Sequence, residues 1–413
     1  MGLLLDDAVI IKLSEKEEEP TIITVNCPDK TGLGSDLCRI ILFFGLTVTR
    51  TDMSTDGKWC YIVFWVIGKQ VTRWSLLKKR LMGACPSYYS LASGISYYRA
   101  ELQPPKPSDV FLLKLCCHDR GGLLYDVTEV LCELELTIER VKVSTTPDGK
   151  VVDLFFVTDT RELLHTNSRK DDACFHLKLV LGDVIISCDI EMASPEVTAC
   201  SQGPSFLSDA IAEEMFDIEM LDKRQDDCTA FNCPSITMDN LLSPSHTLVQ
   251  IVCQNHKGLL YDVMRTLKDY NIQISYGRFT TGGKSNGEMD LFIMQADGKK
   301  IIDPSKQNAL RSRLQTELSR PLRVALISRG PDTELLVANP VELSGKGRPL
   351  VFHDITLALK KLNTPIFSAE IVRYEVGDRE WEIYRVLLDE GDGSSIPKKK
   401  IEETVWDMLM RWE

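Results

Sequence analysis

The sequence predicts an α+β protein built from four tandem βαββαβ units, the fourth of them incomplete or degenerate. The main observation is a repeated motif of strand, polar turn, glycine and amphipathic helix. The motif spans residues 117–127 and returns at 253–263, and a third copy lies at 27–37. A chain of 413 residues is also too long for one hydrophobic core. We therefore treat the repeat as the architecture.

The first repeat shows how each element is assigned. Residues 21–27 are rich in Ile, Val and Thr and predict a strand. Apolar residues then recur at helical spacing from Leu33 to Phe44, and Gly45 ends that helix. Two further strands flank an Asp-Gly hairpin turn, a second helix surrounds Leu77, and residues 95–102 predict a final strand. The predicted unit is a ferredoxin-like sandwich with helices on one face of a four-stranded sheet.

The same pattern sets the expected boundaries along the chain. A fourth, weaker copy has Pro349-Leu350 where the others have the turn glycine, and no strand follows its last helix. We expect residues 8–13 to supply that missing edge strand, because an unpaired edge would otherwise be exposed. The predicted order is repeat 1 over 20–103, repeat 2 over 109–193, an acidic linker over 195–244, repeat 3 over 246–329 and repeat 4 over 333–413. A helix within the linker either docks on the protein or binds a partner.

Composition excludes several classes of protein. The net charge of -12 argues against a nucleic-acid binder, because Lys and Arg make most phosphate contacts. The third strands also lack the glycine-aromatic pattern of RNA-recognition modules, and Asp153 and Asp290 stand in mid-strand. The 13 cysteines show no Cys-x-x-Cys pair and predict free thiols in a reducing compartment. With no signal-peptide pattern and no membrane-spanning apolar run, we expect a soluble cytoplasmic protein, with the nucleus as the alternative.

The repeated turn has the chemistry to hold an amino acid. A helix N-terminus presents free N–H groups that attract a carboxylate, and a turn glycine lets a ligand approach the backbone. An Asp or Asn three residues earlier accepts hydrogen bonds from an ammonium group. Capping of the helix would explain the same residues without any ligand, and both interpretations stay open. The turn residues are Asp29 and Gly32, Asp119 and Gly122, and Asn255 and Gly258.

With these motifs the chain resembles the plant ACT-domain-repeat (ACR) family, and it is also similar to the paired ACT modules that close bacterial uridylyltransferases. The resemblance rests on the three copies of the Asp/Asn-x-x-Gly-Leu turn and covers nearly the whole chain. It implies regulatory binding of a free amino acid, with glutamine as the analogy, and relay of that binding by domain pairing. It also implies an unidentified protein partner and allows a homodimer. The implied contacts are Asp29, Gly32, Leu33, Asp119, Gly122, Leu123, Asn255, Gly258 and Leu259. Repeat 4, which lacks the pattern, is expected to be structural.

No catalytic pattern accompanies the repeats. The six histidines form no metal-ligand spacing, and the chain has no Walker loop, nucleophile elbow or dinucleotide fingerprint. His118 and His256 lie in the polar turns, where they either contact ligand or face solvent. The repeats leave too few residues outside them for a catalytic domain. We therefore expect a protein without catalytic residues, metal or cofactor. The alternative function is a protein-interaction scaffold of ACT units that binds no small ligand.

Overall fold

The computed structural model describes residues 8–16, 19–69, 71–86, 109–146, 148–159, 161, 163–194, 209–216, 233–282, 286–330, 332–377, 379–388 and 396–412. Within these residues the α+β class is confirmed. The strands form two antiparallel eight-stranded sheets, each within a separate compact body. Repeats 1 and 3 make one body, here called the first pair, and repeats 2 and 4 make the other, the second pair.

The elements are named here in chain order. Repeat 1 contains β1 (Val9–Lys12), β2 (Thr21–Pro28), α1 (Leu33–Phe43), β3 (Thr47–Thr55), β4 (Trp59–Ile67) and α2 (Trp74–Ala84). Repeat 2 contains β5 (Val110–His118), α3 (Leu123–Glu133), β6 (Leu136–Thr145), β7 (Lys150–Asp159), α4 (Asn167–Leu181) and β8 (Ile185–Met192). A helix, α5 (Asp209–Phe216), follows. Repeat 3 contains β9 (Ser235–Asp239), β10 (Thr247–Gln254), α6 (Leu259–Asp269), β11 (Ile272–Gly282), β12 (Asn286–Gln295) and α7 (Pro304–Ser319). Repeat 4 contains β13 (Arg323–Arg329), β14 (Asp332–Pro340), α8 (Val351–Lys361), β15 (Ile366–Val376), β16 (Arg379–Leu388) and α9 (Lys398–Met410).

The two repeats of each pair join side by side, strand to strand. The strand order is β1-β2-β4-β3-β11-β12-β10-β9 in the first pair and β13-β14-β16-β15-β6-β7-β5-β8 in the second. β3 therefore meets β11, with Met53 opposite Gly277, and β6 meets β15, with Val143 opposite Ala369. The first helices of the two repeats also lie against each other, α1 on α6 and α3 on α8. This brings the turn of one repeat next to the helix of its neighbour.

Amphipathic sequence explains why the first helix of each repeat lies where it does. In α1 the residues Leu33, Leu37 and Ile41 recur at helical spacing, and each is at most 1% exposed. After α1 the chain turns at Gly45 with φ 66°, and the amide of Leu46 donates to the carbonyl of Ile41. This left-handed C-terminal turn satisfies carbonyls that the helix leaves free. The other three repeats use the same conformation at Glu135, Asn271 and Asn363.

The edge strands correct the predicted repeat boundaries. Val9–Lys12 pairs with β2, with Val9 opposite Val25, so it completes repeat 1 and not repeat 4. β2 is the next strand along the chain, so its edge is the one that β1 reaches first. Val9 is fully buried there. The predicted final strand of repeat 1, residues 95–102, lies outside the described residues. The edge of repeat 3 is β9, which lies within the predicted linker of residues 195–244.

A second correction concerns the end of repeat 3. Arg323–Arg329, which the predicted boundary of 246–329 places in repeat 3, pairs instead with β14 through a tight turn at Gly330, whose φ is 67°. Repeat 4 is therefore complete in its elements, with four strands and two helices among the described residues. Repeat 2 alone has the predicted βαββαβ order as described; in the other three the edge strand precedes the strand that leads into the turn. A local antiparallel hairpin provides the edge in place of a crossover after the last helix.

Helix α5 lies on the face of the second pair's sheet that the other helices leave open. Its Met215 and Phe216 pack with Leu336, Ala338, Trp381 and Ile383. The Arg323 guanidinium donates to the Met215 carbonyl at 2.6 Å and lies 5.0 Å from the Phe216 ring centre. The linker helix thus docks on its own chain. Among the described residues no helix is long and apolar enough to cross a bilayer.

Candidate functional site

The strand-to-helix turn has the same backbone shape in all four repeats. The residue before the first helix is left-handed in each, with φ 76° at Gly32, 76° at Gly122 and 87° at Gly258. Repeat 4 reaches the same conformation at Leu350, with φ 66°, although a side chain there costs about 1–2 kcal/mol. None of these four helices has a side-chain cap at that residue. The turn leaves the first-turn amides without acceptors inside the helix.

In the first pair, a lysine from repeat 3 lies over the glycine of repeat 1. A Cβ on Gly32 would stand 2.6 Å from Cε of Lys268, so the glycine is what admits this side chain. The Lys268 ammonium lies 3.1 Å from Asp36 in the first turn of α1, and Lys30 lies 2.8 Å from the other oxygen of the same carboxylate. Burial alone would raise the pKa of Asp36, but the two ammonium groups outweigh it and hold that pKa below its usual value.

The second pair repeats this arrangement with equivalent residues. A Cβ on Gly122 would lie 3.0 Å from Cδ and Cε of Lys360, which comes from repeat 4. The Lys360 ammonium is 2.7 Å from Asp126, whose other oxygen is 2.6 Å from the Arg120 guanidinium. The ammonium also lies 4.3 Å from the ring centre of Tyr125. Two independent copies of one polar constellation therefore exist, each made by two repeats.

Each constellation lines an open cleft. In the first pair the cleft encloses about 740 Å³, including solvent at its mouth, and in the second about 620 Å³. The first cleft contains the turn residues Asp29 to Gly32 and Lys268, and its apolar wall is formed by Met53, Ile62, Met264, Leu267, Ile274 and Met294. The second contains Asp119 to Leu123, Lys360, Thr356 and Thr364.

The two turn aspartates hold equivalent places. The amide of Asp29 donates to the carbonyl of Lys58 at 2.9 Å, and the amide of Asp119 to that of Gly149 at 3.0 Å. The Asp29 carboxylate also accepts a 2.6 Å hydrogen bond from the hydroxyl of Thr55. Burial raises the pKa of Asp29, and the Thr55 bond opposes that shift only in part. The groups that bond to the Asp29 carboxylate, the Thr55 hydroxyl and the Lys30 backbone, both lie outside α1.

A buried carboxylate distinguishes the second cleft from the first. Asp153 on β7 is 1% exposed, and its Oδ1 has no hydrogen-bond partner among the described residues. Burial, followed by the charge of Asp119, raises the pKa of Asp153 to about 7. The equivalent strand position in repeat 1 is Ile62, because both residues pair with the strand before the turn at the same register. Asp290, also in mid-strand, occupies the alternate position and faces solvent.

The raised pKa of Asp153 predicts a pH-dependent gain from Asp153→Asn. Since the folded-state pKa lies above the unfolded value of 3.8, the folded chain retains a proton that the unfolded chain loses. Wild-type stability should therefore fall as pH rises from about 4 to 7, whereas the neutral amide escapes this loss. We expect the advantage of the variant to grow by about 2 kcal/mol from pH 5 to pH 8 in urea unfolding. Asp290→Asn is the control, and an equal gain at both pH values would contradict the prediction.

The turns of repeats 3 and 4 lack the lysine. Lys268 and Lys360 occupy the tenth position of α6 and α8, and the same position is Leu42 in α1 and Cys132 in α3. Around the turn of repeat 3, Leu42 joins an otherwise largely apolar lining that also includes Leu46, Val48 and Phe279. The aspartate equivalent to Asp36 is Asp262, which is fully buried beside Arg265.

The predicted site residues thus fall into two groups. The glycines and aspartates of repeats 1 and 2 line the lysine-bearing clefts, with Leu33 and Leu123 forming their buried floor. Asn255, Gly258, Leu259 and His256 line the apolar pocket of repeat 3 instead, and His118 is exposed. Sequence reasoning missed the polar partners, although aligning the copies shows an Asp at the fourth position of every first helix and a Lys at the tenth position of two. The missed residues are Lys30, Asp36, Arg120, Asp126, Asp153, Lys268 and Lys360.

Comparisons with known proteins agree with this architecture. Family models match at residues 11–86 (ACT domain-containing protein ACR10, N-terminal), 235–332 (ACR9-like, ACT-like domain) and 333–411 (ACT domain-containing protein ACR9, C-terminal). The chain is 62% identical to ACT domain-containing protein ACR10 and 50% identical to ACR9, both from Arabidopsis thaliana, over 100% of each chain. It is 25% identical to the bifunctional uridylyltransferase/uridylyl-removing enzyme of Gluconobacter oxydans (strain 621H), over 53% of this chain and 20% of that enzyme. The chain therefore belongs to the plant ACT-domain-repeat family.

Proposed function

We propose that this protein is a non-catalytic regulator that binds a free amino acid at the two lysine-bearing clefts, one in each pair. The observation that carries the proposal is the convergence of three groups at Gly32, and again at Gly122. A helix N-terminus and the ammonium of Lys268 or Lys360 would hold the α-carboxylate. The carboxylate of Asp29 or Asp119 would accept hydrogen bonds from the α-ammonium group.

The position of the lysine also suggests how binding is relayed. Lys268 belongs to repeat 3 but forms its ion pair with Asp36 of repeat 1. A ligand carboxylate that draws the ammonium away from Asp36 would change the contact between α1 and α6. The same holds for Lys360 and Asp126 in the second pair. Binding in the cleft would thereby shift the packing of two repeats, and this shift is the signal that a protein partner would read.

One observation favours the alternative, a scaffold without small ligands. Both lysines already have carboxylate partners, and their aliphatic chains cover the turn glycines. In that function the glycine, lysine and aspartate would join two repeats and do nothing more. The two functions differ in whether any free amino acid competes for the lysine.

Lysine substitutions on the full chain test the proposal by calorimetry across the twenty amino acids. Lys268→Met and Lys360→Met keep the aliphatic chain over the glycine and remove the charge. We expect each to weaken one of two sites at least tenfold, because a charge-assisted hydrogen bond is lost. Leu42→Met, at the equivalent position of α1, is the matched control and should change nothing. If no amino acid binds the wild-type chain, or binding survives both lysine substitutions, the clefts are not the site.

A further inference from the structure

The two clefts are a matched pair that differs in one charge. They share the turn aspartate, the left-handed glycine, the first-turn aspartate and the lysine from the neighbouring repeat. A basic residue of the turn, Lys30 or Arg120, completes each set. At the strand position below this shared set, repeat 1 carries Ile62 and repeat 2 carries Asp153. Ile62 and Asp153 are not among the groups that we assign to the α-carboxylate and the α-ammonium of a ligand. They would therefore contact the side chain of that ligand.

Asp153 has a carboxylate that the surrounding protein does not satisfy. It points toward the helix-covered side of the sheet, between the buried residues Val151 and Phe155, and it lines the second cleft. Its Oδ1 lacks a hydrogen-bond partner among the residues that the structure describes. A buried charge of this kind costs free energy that a cation brought by a ligand would relieve.

The charged and titratable groups around Asp153 leave a place for one cation. Asp119, from the turn, adds a second negative charge close enough to raise the pKa of Asp153. The neighbouring thiol of Cys117 on β5 stays protonated, because burial and then the Asp153 charge raise its pKa to about 12. The two cationic groups of the cleft, on Arg120 and Lys360, are both held by Asp126. Neither forms a hydrogen bond or ion pair with Asp153 in the structure as described.

We propose that the second cleft selects an amino acid whose side chain ends in a cation, and that Asp153 is the specificity-determining residue that pairs with it. The first cleft, with Ile62 and four methionine and leucine side chains in its wall, takes an apolar side chain instead. This inference rests on the proposed function, because it assigns the side chain of the same ligand class. One chain would then respond to two kinds of amino acid through its two pairs.

The test compares free L-lysine with L-norleucine, which has the same carbon chain without the terminal ammonium, by calorimetry on the full protein. Asp153→Ile converts the second cleft to the composition of the first and should weaken L-lysine binding at least tenfold. Ile62→Asp is the reciprocal change and should add an L-lysine site to the first pair. Asp153→Asn keeps the size of the side chain and removes its charge, so it should lose L-lysine as Asp153→Ile does. L-lysine affinity of the wild type should also fall about tenfold from pH 8 to pH 6 as Asp153 takes up a proton.

The outcomes separate the two levels of the proposal. Loss of L-lysine in both Asp153 variants, with L-norleucine binding to the first cleft retained, supports the inference. If amino acids bind in a manner that depends on Lys268 and Lys360, but L-lysine binds Asp153→Ile as tightly as wild type, only the selectivity is wrong. If neither L-lysine nor any other amino acid binds the wild-type chain, the proposed function fails and the inference fails with it.

Discussion

Replacing Arg265 with alanine should lower the free energy of unfolding of the first pair by about 3–5 kcal/mol. Arg265 lies in the middle of α6, and its side chain is only 1% exposed. Its Nη2 donates to Glu317 of α7 at 2.6 Å and lies 3.8 Å from Asp262. Without the guanidinium, the carboxylates of Glu317 and Asp262, which are 2% and 0% exposed, would lose the cation that they share.

A neighbouring arginine supplies the control for Arg265. Arg313 lies 3.1 Å from the other oxygen of Glu317, but its side chain is 26% exposed. Its replacement by alanine should cost about 1 kcal/mol or less, because partly exposed ion pairs contribute little. Hydrogen–deuterium exchange across α6 and α7, combined with urea unfolding, measures both variants in the first pair. Equal costs for the two substitutions would show that the buried charge is not what holds these helices together.

A double variant separates charge from packing. Arg265→Met keeps apolar volume, and Glu317→Gln removes the carboxylate that would be left behind. The pair of substitutions should therefore cost less than Arg265→Met alone, since no partner remains charged at 2.6 Å. If the two costs simply add, Arg265 acts through its packing and the ion pair contributes nothing measurable.

The repeated helices were predictable because their sequence pattern is local. Apolar spacing located α1 to within one residue of Leu33–Phe43, and Gly45 marked its end. The turn glycines were likewise visible, yet Leu350 shows that the turn conformation does not require glycine. Packing around the turn holds the backbone of Leu350 in a left-handed conformation that leucine disfavours. No local sequence pattern predicts such an effect.

The pairing of the repeats could not be predicted because it depends on contacts distant in sequence. Lys268 and Asp36 are 232 residues apart, and the pairing of repeats 1 and 3 through β3 and β11 and through α1 and α6 brings them together. The edge strand of repeat 1 was assigned wrongly for a similar reason. The sequence of residues 7–11 resembles that of residues 183–186 at the edge of repeat 2, but a strand joins whichever open edge it can reach. The position of Asp153 in mid-strand was visible in the sequence, but there it served only as an argument against RNA binding. Its burial in a cleft became clear from the register of β7.

Replacing Gly347 with alanine should destabilise the second pair by about 3 kcal/mol, because there is no room for a Cβ. Gly347 lies in the loop between β14 and α8, in the repeat whose turn lacks glycine. Its Cβ would overlap Oε2 of Glu382 and stand 2.6 Å from Nδ2 of Asn339. These groups belong to one buried network. Glu382 accepts hydrogen bonds from Asn339 at 2.9 Å, from Tyr384 at 2.9 Å and from Arg373 at 2.6 Å.

A second glycine of the same loop provides a control in which the loss of stability has a different cause. Gly345 has φ 80°, and nothing lies within 4 Å of a Cβ built there. Gly345→Ala therefore carries only the strain of the left-handed conformation, about 1–2 kcal/mol. Urea unfolding followed by hydrogen–deuterium exchange across β14 and β16 compares the two variants. A cost for Gly347→Ala no larger than that for Gly345→Ala would contradict the crowding seen at Gly347.

Removing Glu382 should relieve the effect of Gly347→Ala. In Glu382→Ala the space beside Gly347 opens, so the double variant should be more stable than the sum of the two single costs predicts. Strict additivity would mean that the alanine acts elsewhere.

The same network explains why repeat 4 is expected to bind no ligand. Arg348 donates its amide to Asn339 at 3.3 Å and its guanidinium to the carbonyl of Leu409 at 2.9 Å, so the loop itself supplies partners for these two buried groups. Lys360, the contribution of repeat 4 to the second cleft, lies outside this network, so amino-acid binding should persist in any Gly347 variant that remains folded.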